Sequence, residues 1–175
     1  MRQEIPNTPL FVSCTTLSGR EVADSKLTGI ADGIFYAPID MCFAVRRVLR
    51  LIQPSVLVVL ETEIWPHLYR ETRSAGAAVV ILNGRISDKA AERYKRFRWF
   101  FSAVLEQVSG ILAQSSQDEQ RFIDTGAHPN QVRIAGNLKY DFKPGSIAAP
   151  DIVIRALRHP LWIAASTSGP MRSPS

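Results

Sequence analysis

Two cysteines among 175 residues, Cys14 and Cys42, are too few for a disulfide framework. Neither has a Cys or His neighbour at ligand spacing, and the three histidines, His67, His128 and His159, are scattered, so no metal site is expected. Both cysteines read as small buried apolar residues. Long apolar runs are also missing: 56–60 and 75–82 fall well short of the roughly 20 residues that span a bilayer. The first nine residues show no basic region followed by an apolar run, so no secretory leader is expected and a reducing, cytoplasmic setting is the default. Glycine-rich phosphate loops, HExxH and GxSxG are absent, which removes the motif-based routes to nucleotide-phosphate, zinc-peptidase and serine-hydrolase chemistry. Eleven prolines and ten glycines show no fixed period, which excludes collagen-like and repeat arrays.

What is there suffices for a folded core, with 46% hydrophobic and 21% charged residues. The formal charge is +5, and sixteen of the twenty-one cations are arginine, whose planar fork matches phosphate and carboxylate groups. Net charge alone leaves an anion-facing surface and an ordinary solvated one equally open. No basic motif of a known nucleic-acid module is present, so nucleic acid is not an expected partner.

Short apolar segments rich in β-branched residues recur at 10–14, 56–60, 78–82, 111–113 and 132–135, each too short for a buried helix. Between them lie amphipathic stretches. In 44–53, Val45, Val48, Leu49 and Ile52 share one face, and Arg46, Arg47 and Arg50 share the other. This alternation predicts an α/β fold with a Rossmann-like parallel sheet and helices on both faces. Pro66 and Gly76 bracket one helix, and Ser116 with Glu119 reads as a capping box opening a helix that Gly126 ends. The stretch 142–150 carries two prolines and small residues and reads as a linker. The expected organisation is one Rossmann-like domain over 1–141, lacking its first strand, the linker, and the start of a second domain over 151–175. A sheet edge exposed where that strand belongs predicts self-association.

In an open parallel sheet the working residues lie beyond the carboxyl ends of the strands. After 56–60 comes Glu61-Thr62-Glu63-Ile64-Trp65-Pro66, which puts Glu61 and Glu63 in one crevice where a carboxylate could take a proton from an attacking hydroxyl. Equally, Glu63 could serve only the positive end of the next helix while Trp65 packs. The turn Asn83-Gly84-Arg85-Ile86-Ser87 offers Arg85, a partner for Glu61 or for an anionic substrate, and Ser87 as a helix cap. The turns holding Gln114 and Ser115, and Asn137 and Lys139, complete the same edge, the last of them placed to face an interdomain cleft. From Arg85 to Arg98 six cations stand against two carboxylates. Ala90, Tyr94, Phe97 and Phe101 form an apolar stripe there, with Trp99 and Phe100 continuing the aromatic run. That surface suits either an anionic lipid or a solvated cationic face.

Taken in order, Tyr36-Ala37-Pro38-Ile39-Asp40, Ala44-Val45-Arg46-Arg47-Val48, Glu61-Thr62-Glu63-Ile64-Trp65-Pro66, Asn83-Gly84-Arg85-Ile86-Ser87, Arg93-Tyr94, Ala113-Gln114-Ser115, Gly136-Asn137-Leu138-Lys139 and Ala164-Ala165-Ser166-Thr167 resemble the 3-deoxy-D-manno-octulosonic acid (Kdo) transferases of lipopolysaccharide synthesis. The resemblance runs from about residue 9 to residue 167.

It implies the amino-terminal half of a GT-B glycosyltransferase at the cytoplasmic face of the bacterial inner membrane, moving Kdo from CMP-Kdo to lipid IVA with inversion. No cofactor or catalytic metal is implied, CMP-Kdo being the donor substrate. It assigns Glu61 and Glu63 to the reaction centre and gives Arg85, Arg93, Arg96 and Arg98 an anionic acceptor and membrane surface to face. Asn83, Gln114, Ser115, Asn137 and Lys139 fall at the interdomain cleft, and Ser166 and Thr167 at a donor-domain turn. The sequence departs from the family before Leu10, where the family carries a His-Ala-Val-Ser-Val-Gly-Glu type segment with the glutamate usually taken as general base, and after Thr167. Inactivity of the isolated chain is therefore expected. The competing expectation is a non-catalytic module that binds anionic lipid or a partner through the acceptor surface.

Overall fold

The computed structural model describes residues 7–138 and 161–165. The apolar segments become strands β1 (Leu10–Cys14), β3 (Val56–Leu60), β4 (Ala78–Gly84), β5 (Gly110–Ala113) and β6 (Val132–Ile134), joined by β2 (Gly33–Tyr36) and β7 (Leu161–Ala165). Helices α1 (Leu17–Leu27), α2 (Cys42–Ile52), α3 (Pro66–Ser74), α4 (Asp88–Arg96), α5 (Arg98–Leu105) and α6 (Ser116–Thr125) fill the connections. The seven strands form one sheet in the order β2-β1-β7-β3-β4-β5-β6, every pair parallel. All strand-to-helix turns therefore gather along one edge, as a parallel sheet requires.

β3 shows why so uniform an apolar run is a strand: Val56, Leu57, Val58 and Val59 are all buried, alternately toward the two faces. On one face Leu57, Val59, Val79, Ile81, Ile111 and Ala113 pack under α2 to α6, against Val45, Leu49, Tyr69, Leu105 and Phe122. On the other, Leu10, Val12, Cys14, Val56, Val58, Leu82 and Leu112 join Ala23 of α1.

Several local expectations hold. Val45 and Leu49 of α2 are buried and its arginines exposed. Pro66 stands in the first turn of α3, and Gly76, with φ +87°, turns the chain after it. Others need correction. The cap of α6 is Ser115, one residue before the expected Ser116: its hydroxyl accepts from the Asp118 N–H at 3.1 Å and donates to the Asp118 carboxylate at 2.6 Å, in place of the expected box with Glu119. Cys42 is only half-buried, its Sγ 2.9 Å from an Arg70 guanidinium nitrogen, because it opens α2 at the surface. β1 has neighbours on both sides, β2 and β7, so the edge expected there is filled. Leu161–Ala165 pairs with β1 and β3 in the sheet, while the expected bounds at 141 and 151 fall outside the described residues, so the expected domain organisation stays an expectation.

A buried carboxylate clamps α2 to α3. Glu71 is 4% exposed and accepts from Arg46 Nε at 2.5 Å and from Arg70 at 2.9 Å. Hydrogen bonding from Arg46, then from Arg70, holds its carboxyl below the usual glutamate range. A carboxyl whose folded value is depressed contributes stability above its unfolded value, about 4.3, and loses it as pH falls through the folded one. Glu71→Gln is therefore expected to lower the melting temperature at neutral pH. The gap from the unchanged chain should narrow as pH falls below the ordinary glutamate range, and thermal melts across pH check it.

Candidate functional site

The turns after β3 and β4 are built from two residues held in the left-handed region, Glu61 at φ +62° and Asn83 at φ +57°. Asparagine tolerates that region; for glutamate it is uncommon and marks a position the surroundings over-determine. Glu61 is fixed by its own N–H, which donates to the Leu82 carbonyl at 2.9 Å and so extends the β3–β4 ladder by one step. The next residue ties the two turns together. Thr62 Oγ1 donates to the Arg85 carbonyl and accepts from the Arg85 N–H at 2.9 Å.

Glu63 is held twice from the start of α3. Trp65 Nε1 donates to Glu63 Oε2 at 2.8 Å, and the buried Tyr69 hydroxyl donates to the Glu63 carbonyl. Burial, with the nearby Glu63 charge adding to it, pushes the Tyr69 phenol far above its ordinary value, so it serves as a fixed donor. Trp65 thus does more than pack.

Glu61, Thr62, Glu63, Arg85, Ile86, Ser87, Ala90 and Tyr94 line a cavity of about 340 Å³. The two predicted carboxylates and Arg85 therefore do meet. A second hollow of about 250 Å³ shares Ser87 and Ala90 with it and adds Lys89 and Arg93, so a basic flank lies next to the acidic crevice. Ser87 caps α4, its hydroxyl accepting from the Ala90 N–H at 3.3 Å. Behind this turn stands α6. Asp118, 6% exposed, accepts from the Ile86 N–H at 3.1 Å, while Arg121 donates to the Ile86 carbonyl at 2.5 Å and pairs with Asp88. Sequence reasoning missed Asp118 and Arg121, whose partners lie more than thirty residues away.

The remaining predicted residues divide. The basic stretch is not one helix: α4 stops at Phe97, with φ −110° and ψ 34°, and α5 begins at Arg98. Arg93 and Arg96 lie on α4 and Arg98 on α5, all exposed, and Arg96 and Arg98 line neither hollow. At the break Phe97, Trp99 and Phe100 are exposed, Trp99 at 77%, while Tyr94 turns inward onto Phe101 with ring centroids 4.2 Å apart. Further along the edge, Asn83 Oδ1 accepts from the Leu138 N–H at 3.1 Å and its carbonyl accepts from Gln114 Nε2 at 3.0 Å. Asn83, Gln114 and the Asn137 turn are thus gathered, and Ser115 is used as a cap. Lys139, Ser166 and Thr167 lie outside the described residues. Among the described residues no three His, Cys, Asp or Glu side chains converge as a metal site would require, and no helix is long and apolar enough to cross a membrane.

The family model described as 3-deoxy-D-manno-octulosonic-acid transferase (kdotransferase) matches residues 1–142, the stretch that contains the whole cavity. The chain belongs to the Kdo transferase family. A Kdo transferase of Haemophilus influenzae is 30% identical over 173 residues, covering 95% of this chain and 40% of that protein. One from Chlamydophila psittaci is 30% identical over 78% of this chain and 32% of its own length. A bifunctional glycosyltransferase/methyltransferase of Fusobacterium nucleatum is 33% identical over 75% of this chain and 21% of its own length. The chain thus spans 40% or less of the length of these relatives. In this member of the Kdo transferase family the crevice is built by neighbouring elements: the Glu61 N–H donates to the Leu82 carbonyl, and the Trp65 indole donates to the Glu63 carboxylate.

Proposed function

We propose that this chain is the acceptor-side half of a Kdo transferase, which moves Kdo from CMP-Kdo to lipid IVA at the cytoplasmic face of the inner membrane. In the proposed reaction an acceptor hydroxyl attacks the anomeric carbon of Kdo, the bond to CMP breaks, and the hydroxyl proton leaves to a base. Glu61 or Glu63 positions and polarises that hydroxyl. The observation that carries the reading is that the acidic crevice and the basic hollow share Ser87 and Ala90 as lining: a ligand across both would offer hydroxyls to Glu61 and Glu63 and an anionic group to Lys89 and Arg93. Interdomain-cleft duties for Asn83, Gln114, Ser115, Asn137 and Lys139, and donor contacts for Ser166 and Thr167, belong to the same proposal.

On this reading the isolated chain binds lipid IVA without transferring Kdo. It should bind vesicles containing lipid IVA more tightly than vesicles of equal charge lacking it, and Glu61→Gln with Glu63→Gln should erase the difference. Kdo transfer by the chain supplied with CMP-Kdo would refute its inactivity. A second reading, a non-catalytic module for anionic lipid, is favoured by the exposed Trp99 beside Arg96 and Arg98. Binding that ignores both glutamates and fails without Arg93, Arg96 and Arg98 would select it.

A further inference from the structure

The motif ending in Asp40 has no part in the crevice, yet its carboxylate reaches across to the helix that holds Glu63. α3 begins without a cap of its own: Trp65, the residue at the cap position, makes no side-chain cap bond, and Pro66 has no N–H to offer. The next two free donors are met from 27 and 28 residues away. Asp40 Oδ1 accepts from the Leu68 N–H at 2.7 Å, and Oδ2 accepts from the His67 N–H at 3.2 Å, with His67 Nδ1 3.5 Å from the same oxygen. A carboxylate there also opposes the positive end of the helix.

Both ties on Glu63 come from this same first turn and its approach: the Trp65 indole to the carboxylate and the Tyr69 hydroxyl to the carbonyl. We propose that Asp40 is a positioning residue for Glu63, acting through the start of α3. The chain of contacts runs from the turn after β2, through the backbone of His67 and Leu68, to the Trp65 indole and so to Glu63 Oε2. The hydrogen bonds of Asp40 go to His67 and Leu68, neither of which lines the acidic cavity. Its effect on any ligand there is indirect. The proposal rests on the reading that Glu63 faces the acceptor.

The test uses the indole N–H signals of the full chain labelled with nitrogen-15. The chain has three tryptophans, and Trp65→Phe identifies the signal of interest. Glu63→Gln gives the position of that signal once the carboxylate is gone. Asp40→Ala is expected to move the Trp65 signal most of the way to that position and to leave the Trp99 signal unmoved. Asp40→Asn, which keeps one acceptor oxygen, should lie between. If the Trp65 signal stays in place in folded Asp40→Ala while only the melting temperature falls, Asp40 is a helix cap and the proposal is overturned. Should Asp40→Ala fail to fold, Asp40→Asn decides in the same way: a moved signal supports the proposal and an unmoved one overturns it. No substrate enters this measurement. A moved Trp65 signal, with acceptor discrimination indifferent to Glu63→Gln, would keep the positioning and reject the reading of Glu63.

Discussion

Replacing Arg93, Arg96 and Arg98 together by alanine is expected to weaken binding to anionic vesicles roughly 100-fold at low salt, at about 1 kcal/mol per cation near such a surface. All three are exposed, and they flank the break between α4 and α5, where Phe97, Trp99 and Phe100 are exposed. Charge brings such a surface to the headgroups, and the aromatic rings then enter the interface, so the two contributions act in sequence at one place. Two controls separate the patch from the overall charge. The same loss of three cations at Lys26, Arg50 and Arg133, exposed elsewhere on the chain, should weaken binding by a much smaller factor. Trp99→Ala should weaken it by about tenfold or more with little salt dependence, because burying an aromatic ring contributes about 1.5–3 kcal/mol and is not screened. Vesicle co-sedimentation at two salt concentrations measures all three variants. Equal loss from both arginine and control triples would show that net charge, not this surface, drives association.

Gly126→Ala is expected to lower the unfolding free energy by about 2–5 kcal/mol, where Gly76→Ala lowers it by only about 1. Both glycines have positive φ, +118° and +87°, so both variants carry the strain of a Cβ in a left-handed conformation. Their surroundings differ. A Cβ at Gly126 would lie 2.6 Å from Ser102 Cβ and 2.8 Å from its Cα, whereas one at Gly76 meets nothing within 4 Å. The Ser102 backbone belongs to α5, so relief requires moving a helix against α6, whose Phe122 is fully buried. Urea unfolding monitored by circular dichroism gives both values. A Gly126→Ala chain no less stable than Gly76→Ala would mean that α5 and α6 slide apart at little cost.

These two variants also show what the sequence makes legible. Gly126 and Gly76 are visible as helix stops because a left-handed residue after a helix favours glycine; that Gly126 also lets α5 approach is a tertiary fact. The apolar strands stood out because interior parallel strands carry no polar face. α1 did not, since Leu17 and Val22 are exposed and only Ala23 of that helix is buried, which leaves no periodic stripe to read. β2 escaped because it is a four-residue strand with no fully buried position. The cap of α6 lies one residue before the expected one because two serines adjoin, and the carboxylate three residues on, Asp118, takes the Ser115 hydroxyl as a donor. In the candidate site, Glu61, Glu63 and Arg85 were legible from their place after strands. What holds them was not: Asp40 acts on α3, and Asp118 and Arg121 on the Ile86 backbone, through contacts between residues far apart in the chain.

The position of β7 bears on how the protein folds and breathes. Leu161–Ala165 is bonded to β1 on one side and β3 on the other, so the β2-β1 pair joins the β3-to-β6 block in the sheet through a strand from the far end of the chain. Pairings so distant in sequence form late, and parallel ones slowly. The β3-to-β6 block and its helices, built from near neighbours in the chain, are positioned to assemble first. In the native state, a fluctuation that releases β7 also uncovers the inner edges of β1 and β3. The amides of Leu10–Cys14 should then exchange with deuterium together with those of β7, as one cooperative unit less protected than β4 and β5. The acidic crevice, set on the turns after β3 and β4, belongs to the block that stays closed.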